Sequence, residues 1–306
     1  MNYQPVIGLE VHVELNTKSK MFCKCSADYF GKDPNTHTCP TCLGLPGALP
    51  YINEEAIKKC LQIGLALNCT ISGKSLFERK NYFYPDLPKG YQISQYRWPL
   101  TTNGKLKIEN GKWIRINRAH MEEDTGKMTH IGSETLIDFN RSGVPLVEIV
   151  TEPDFADTVS VKDYAKKLQQ IFRYLGVSNA NMEKGDMRLE ANVSVQKSSG
   201  HPKGGARVLP NYRVELKNIN SFRFVVAAIE YEIKRQIEFL ERGEKLHQET
   251  RGWNEEKKCT YLQRSKEEAH DYRYFPEPDL PQWTIDNGQW TKIKQQLPEL
   301  PDKKIK

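Results

Sequence analysis

Leu9-Glu10-Val11-His12-Val13-Glu14-Leu15 (LEVHVEL) alternates apolar and polar residues without a break. Successive side chains of an extended chain point to opposite faces. Leu9, Val11, Val13 and Leu15 therefore share one face, and Glu10, His12 and Glu14 the other. Same-face neighbours on a strand lie roughly 6.5–7 Å apart, within reach of one metal ion or a pair. On one strand alone this reads as a solvated face.

The pattern recurs, and the recurrence changes the reading. PLVEIV places Glu148 inside an apolar run, where an unpaired carboxylate is costly. MRLEANVSV puts Arg188, Glu190, Asn192 and Ser194 on one face, and YRVELKN does the same with Arg213, Glu215 and Lys217. AHMEEDTGK adds His120, Glu122, Glu123 and Asp124. Several strands with acids on one face, interleaved with Arg and Lys, describe a carboxylate-lined cup suited to Mg²⁺ and the phosphates of ATP, because hard cations prefer oxygen ligands.

Helical periodicity is interspersed with these strands. One helix starts at the N-cap candidate Asn53 and carries Ile57, Leu61 and Gly64/Leu65 on one face. A second runs from about Val159 with Tyr164, Leu168, Ile171 and Leu175, and Gly176 stops it. A third opens at Ser221, is striped by Phe222, Val225, Ile229, Ile233, Ile237 and Leu240, and ends at Gly243. Half-polar strands mixed with such helices give an α+β fold on a largely antiparallel sheet.

CKC (Cys23, Cys25) and CPTC (Cys39, Cys42) stand thirteen residues apart, two close pairs joined by a loop with turn residues Gly31, Pro34, Pro40 and Gly44. Four thiolates so spaced suit a tetrahedral structural Zn²⁺, with every position filled and no catalysis there. The plain alternative is four reduced thiols. Seven cysteines, three of them scattered, fit a reduced cytoplasm better than a disulfide framework. The chain has 306 residues, is 38% apolar and 27% charged, and carries a formal net charge of +6. That excess permits a polyanionic partner without demanding one. No apolar run reaches the roughly 18 residues of a membrane span, and no secretory signal opens the chain.

ERKNYFYPDLPKGYQIS (residues 78–94) reads as neither helix nor regular strand, but as a shaped loop presenting Lys80 and Lys89 to phosphate or to the end of a nucleic acid. RSKEEAHDYRYFPEPDLP begins with a capping box, Ser265 with Glu268, and goes on to His270, Asp271, Tyr272 and Arg273, which either line a site or tie the helix to the sheet. Its PEPDLP tail (residues 276–281) can be only an edge, since proline lacks a donor. Neither GxxxxGK[ST] nor GxSxG occurs, so a P-loop is excluded and no serine or cysteine nucleophile stands out.

PVIGLEVHVEL, CPTCLGLPGALP, RKNYFYPDLPKGYQIS, IDFNRSGVPLVEIV, VELKNINSFRF and SKEEAHDYRYFPEPDLP together resemble the B-subunit family of the tRNA-dependent amidotransferases, which has a relative in the archaeal E subunit. The resemblance covers nearly the whole chain. It implies a curved, largely antiparallel sheet with helices, a glutamine-synthetase-like cradle for the tRNA acceptor end, and a small inserted zinc loop at about residues 22–45. It implies ATP-dependent phosphorylation of the side-chain carboxylate of Glu-tRNA(Gln) or Asp-tRNA(Asn), then amidation with ammonia from a partner glutaminase. The implied partners are the amidase (A) and small (C) subunits of the amidotransferase and misacylated tRNA, in the cytoplasm, with neither membrane nor DNA involved.

By the same resemblance the metal and ATP site is Glu10, His12, one or more of Glu122, Glu123 and Asp124, then Glu148, Glu190 and Glu215. Lys80, Lys89, Arg188 and Lys217 are the ligand-binding cations, with Lys80 also expected to act in catalysis. Zinc falls to Cys23, Cys25, Cys39 and Cys42. The chain departs from the family in having Glu190 where Asp is usual, and in a longer stretch before Arg213. The cradle is expected to fill residues 1–285, with 286–306 a short stub where further helical and tail domains begin. A fragment of that kind is expected to bind tRNA weakly and to be poorly active alone. The rival readings are a non-catalytic zinc-containing tRNA-binding protein, without ATP or Mg²⁺ dependence, and a free-standing ligase acting on a small amino acid.

Overall fold

The alternating stretch becomes β1 (Tyr3–Glu14), the middle strand of a nine-stranded sheet. The computed structural model describes residues 3–197, 209–265, 272–284 and 287–300. After β1 come α1 (Glu54–Ala66), β2 (Thr70–Ile71), β3 (Lys74–Ser75), β4 (Glu78–Asn81), β5 (Tyr91–Ser94), β6 (Thr101–Lys107) and β7 (Trp113–Glu123). The middle of the chain holds β8 (Lys127–Ile131), β9 (Glu134–Asp138), β10 (Pro145–Thr151), α2 (Thr158–Tyr174), β11 (Met187–Lys197) and β12 (Val214–Ile219). The remainder supplies α3 (Phe222–Glu241), β13 (Glu249–Asn254), β14 (Cys259–Ser265), β15 (Phe275–Pro276), β16 (Trp283–Thr284) and α4 (Asn287–Gln295).

The main sheet runs β14-β13-β12-β11-β1-β10-β7-β6-β2, antiparallel throughout except for the β12–β13 pair. Leu9, Val11 and Val13 of β1 are buried in one core with Val147 and Ile149 of β10 and Leu189 and Ala191 of β11. Helices α1, α2 and α3 add Ile57, Leu61, Tyr164, Leu168, Val225 and Ile229 to that same core. The opposite face is left to the acids. This is the α+β, mostly antiparallel arrangement that the alternation called for.

Helix ends follow local chemistry. Asn53, Asp157 and Ser221 cap α1, α2 and α3, each accepting a hydrogen bond from the backbone N–H three residues on. In α1, Gly64 takes the core position and Leu65 is half-buried. A Cβ at Gly64 would stand 2.5 Å from Thr101 Cγ2, so only glycine lets α1 lie this close to β6.

Two expectations need correction. Residues 78–94 are not loop throughout, since regular strands stand at both ends: β4 and β5 pair as an antiparallel hairpin, Lys80 opposite Gln92, and β15 adds a third strand beside β4. The proline- and glycine-rich middle masked two short strands at its ends. The core face of α3 is also rotated from the expected stripe. Glu232 and Gln236 are fully buried, while Ile233, Ile237 and Leu240 are only half-buried. Burial of these polar residues is tolerated because each is paired: Glu232 with Arg235 (2.7 Å) and Thr260 (3.1 Å), Gln236 with Tyr212 (3.0 Å) and the Val193 carbonyl (3.2 Å). Ser265 closes β14, and Glu268, its expected capping partner, lies outside the described residues, as does most of the longer stretch before Arg213.

Asn53 does more than cap. Its Nδ2 donates to the Ser19 and Lys20 carbonyls (3.0 and 3.2 Å), tying α1 to the root of the cysteine loop. Asn53→Ala is expected to cost about 2 kcal/mol in urea unfolding, a cap plus a buried donor network. Asn53→Asp, which keeps the cap and loses the donors, should lie between the two.

Candidate functional site: a carboxylate cup beside a four-cysteine loop

Strand register turns the separate alternating segments into one surface. His120 of β7 stands opposite Glu148 of β10, Glu148 opposite His12 of β1, and His12 opposite Arg188 of β11. One register step along, Glu10 faces Glu190, and Asn192 faces Glu215 of β12. Residues far apart in sequence thus form two adjoining groups. In His12, Glu122 and Glu148, and in Glu10, Glu190 and Glu215, the donor atoms lie within 4.8 Å of one another.

Cations sit at both ends of this surface. Lys80 Nζ is 3.9 Å from Glu122 Oε1, and Lys217 Nζ is 3.0 Å from Glu190 and 3.3 Å from Glu215. His120 Nε2 meets Glu148 Oε2 at 2.9 Å, and His12 Nε2 is 3.9 Å from both Glu122 and Glu148. Neutral donors complete the shell. Ser94 Oγ donates to Glu122 (2.7 Å), Gln92 Nε2 to the same carboxylate (3.3 Å), Asn192 Nδ2 to Glu10 (2.9 Å) and Thr250 Oγ1 to Glu215 (3.1 Å). Over Lys80 lies a run of tyrosines: Tyr272 with its centroid 5.1 Å from Nζ, Tyr82 at 6.0 Å, and Tyr274 stacked on Tyr96 at 4.7 Å.

Not every expected residue joins the cup. Glu123 points the other way from Glu122, accepting from the Ile93 N–H (2.9 Å) and from the Lys89 ammonium. Lys89 is buried in that pair, so the structure separates these two from the metal groups. Asp124 pairs with Arg188 (2.8 Å) beside Glu14, whose carboxylate accepts from Tyr29 (3.0 Å). Arg188 and Glu190 line a cleft of about 720 Å³ that also takes in Tyr29, Phe30 and Lys184. Arg213, grouped with Glu215 from sequence, is exposed just before β12 begins. The residues that the pattern missed are Gln92, Ser94, Thr250 and the tyrosines Tyr82, Tyr96 and Tyr274. The alternating YQIS of β5 was the one available signal for the first two.

The cysteine loop lies alongside. Sγ atoms of Cys23, Cys25, Cys39 and Cys42 fall within 4.8 Å of one another, and those of Cys39 and Cys42 are 3.8 Å apart. A tetrahedron of thiolates at about 2.3 Å from zinc has edges of about 3.8 Å, so the donor set fits a soft divalent ion. The hydrogen bond from Cys23, acting against burial and aided by the Lys20 ammonium, brings the Cys42 thiol down to about 4.

Residues 5–291 match the model of the GatB/GatE catalytic domain. The chain belongs to that family. It is 55% identical over 309 residues to the B subunit of the aspartyl/glutamyl-tRNA(Asn/Gln) amidotransferase of Thermodesulfovibrio yellowstonii, covering 100% of this chain and 63% of that protein. To the same-named protein of Thermotoga petrophila it is 52% identical over 315 residues, 100% of this chain and 64% of the relative. To that of Caldicellulosiruptor saccharolyticus it is 54% identical over 309 residues, 99% and 63%. The chain therefore spans just under two thirds of the length of the curated relatives it matches.

Electrostatics distinguish the acids of this GatB/GatE domain. Burial would raise Glu122, but Lys80 and His120 overcome it and hold the carboxyl down to about 2. Glu148 is held well below the usual range, against burial, by His120 and then His12. Glu190 is lowered against burial by Lys217 and His12. Glu10 moves the other way. Burial and then the facing carboxylates of Glu148, Glu190 and Glu215 push it up, outweighing the opposing effect of His12. The cup is short of positive charge where Glu10 stands.

Stability should follow these directions. A depressed carboxyl stabilises the fold above its unfolded pKa, and that contribution is lost as pH falls through the folded value. Glu122 thus contributes fully above about pH 4.5 and loses its share toward about pH 2. In urea titrations across that window, Glu122→Gln should flatten the slope by about one proton. Glu10 has the opposite sign, its ionised form opposing folding at neutral pH. Glu10→Gln should therefore raise the melting temperature of the metal-free chain at pH 7, and an unchanged or lower value would refute the assigned crowding.

Proposed function

We propose that this domain is the phosphorylating and amidating centre of the B subunit in a tRNA-dependent amidotransferase. The observation that carries the reading is the pair of adjoining donor groups, His12–Glu122–Glu148 and Glu10–Glu190–Glu215, on one sheet face between Lys80 and Lys217. The family membership and the names of the relatives support the same assignment and disfavour a purely tRNA-binding zinc protein. In this reading the polar face is a cradle similar to that of glutamine synthetase, filling residues 1–285. The chain works in the cytoplasm with an amidase and a small third subunit.

The substrates are ATP and Glu-tRNA(Gln) or Asp-tRNA(Asn), presented by the acceptor end. The side-chain carboxylate oxygen attacks the γ-phosphorus, ADP leaves, and an acyl phosphate forms. Ammonia from the partner amidase then attacks the acyl carbon, inorganic phosphate leaves, and the amide remains. Mg²⁺, when bound, supplies a Lewis acid that neutralises phosphate charge and aligns it. Glu10, Glu190 and Glu215 are all-oxygen donors suited to that hard cation. Glu122 and Glu148 are kept ionised by Lys80 and His120 for the second group.

Lys80 and Lys217 stand where negative charge develops on the transferred phosphoryl and on the leaving phosphate. Lys89, committed to Glu123, acts only by holding the hairpin. The tyrosines over Lys80 would keep water from the acyl phosphate. Zinc, held by the four cysteines, is structural.

Glu10→Ala is the direct test. With the amidase and small partner subunits, Mg²⁺ and misacylated Glu-tRNA(Gln), it should lower ATP cleavage and amidation by on the order of 100- to 1000-fold. Glutamine hydrolysis by the partner should survive in part. Undiminished amidation would remove Glu10 from the site, and ATP cleavage that ignores charged tRNA would remove the mechanism.

A further inference from the structure

One buried cation has no place in the cup. Lys20 is 0% exposed, and its ammonium meets the His37 carbonyl at 2.7 Å, the Phe139 carbonyl at 3.3 Å and Cys42 Sγ at 3.7 Å. Among the described residues it forms no ion pair with a carboxylate. A buried ammonium without a counter-charge is costly, and two carbonyl dipoles do not cancel a full charge. Among the described residues, the group within 4.0 Å of that ammonium that can carry negative charge is the Cys42 thiolate of the cysteine cluster. Four thiolates around one divalent ion carry two net negative charges in a site already largely closed to water.

Lys20 also joins two segments. The loop around Asn35 and His37 lies along the chain leaving β9: Asn35 N–H donates to Asp138 (3.0 Å), Asn35 Nδ2 to the Ile137 carbonyl (3.1 Å), and His37 N–H to Asn140 (2.7 Å). Asn140 is fully buried and returns a bond to the Asp33 carbonyl at 2.7 Å. The next residue, Arg141, donates to the Thr125 and Gly126 carbonyls (2.9 and 2.8 Å) and lies 3.8 Å from Asp124 at the rim of the cup. The ammonium is therefore shared between the metal loop and a strap that reaches the rim.

We propose that Lys20 is the counter-ion of the metal-loaded cysteine cluster, and that through it metal occupancy holds the strap, residues 137–144, in place. This rests on the reading that the cluster holds zinc. Lys20 is a positioning residue, since it touches neither substrate nor reacting atoms. Its charge, rather than its bulk, is what the cluster requires, and a neutral side chain of similar length should leave the thiolates uncompensated.

The test uses the purified chain and zinc alone. Zinc content is measured first. Release to a chromogenic chelator is then followed for the parent, Lys20→Met, Lys20→Gln and Lys20→Arg, with folding checked by circular dichroism. The parent should carry one zinc. Lys20→Met and Lys20→Gln should lose it about 10- to 100-fold faster, the range for partners of metal ligands, while Lys20→Arg stays nearer the parent despite its greater bulk. Should Lys20→Met fail to fold, Lys20→Gln, which keeps hydrogen bonds to the carbonyls, carries the comparison. Hydrogen exchange in the parent should show residues 137–144 losing protection when zinc is removed. Parental release rates from the folded neutral variants overturn the counter-ion role and leave zinc binding intact. Unchanged exchange overturns the coupling to the strap, and a parent chain without zinc overturns both this inference and the zinc reading.

Discussion

Carboxylates crowded on one face of a sheet cannot all ionise unless positive charge stands among them, and most of the site follows from that constraint. Glu122 and Glu148 are held ionised by Lys80 and His120, and Glu190 by Lys217. Glu10 is left facing three carboxylates, and burial and that crowding outweigh the relief that His12 gives. The imbalance is one that a divalent cation would offset. It also means that the fold gives up some stability at this face.

The scaffold that tolerates this is the other face of the same strands. Leu9, Val11 and Val13 of β1, with their partners on β10 and β11, are buried under three helices, so the register of the central strands is tightly specified. A slip of one residue would turn Glu10 and His12 into the core. Hydrophobic burial on one side therefore positions the acids on the other. The β4–β5 hairpin closes the cup laterally through Lys80, Gln92 and Ser94, while the cysteine loop is tied through Lys20 and Asn140 to the chain that leaves β9.

Polar burial recurs away from the cup. Glu232 and Gln236 of α3 occupy places where the periodicity had put Ile233 and Ile237. Each is satisfied by a partner from a distant strand or loop, which no helical wheel contains. Lys89 is a similar case. Its position in a lysine-bearing turn suggested a free phosphate ligand, but Glu123 and the hairpin enclose it. Long-range pairing decided its role, and periodicity carries no information about pairing.

Local rules read from the sequence alone determined the largely antiparallel class of the sheet, the three helices with the starts of the first and third, the spacing of the four cysteines and the shared face of Glu10 and His12. These depend on two-residue and 3.6-residue periods and on capping chemistry, which act over a few residues. Tertiary structure alone decided which acids meet. Glu10 joins Glu190 and Glu215, and His12 joins Glu122 and Glu148, while Glu123 turns away to Lys89 and Asp124 to Arg188. It also decided that Lys20, unremarkable in sequence, is buried against Cys42. Alternation gives the side of a strand on which a residue lies, whereas inter-strand register and desolvation, which set distance and charge state, are properties of chains brought together from far apart.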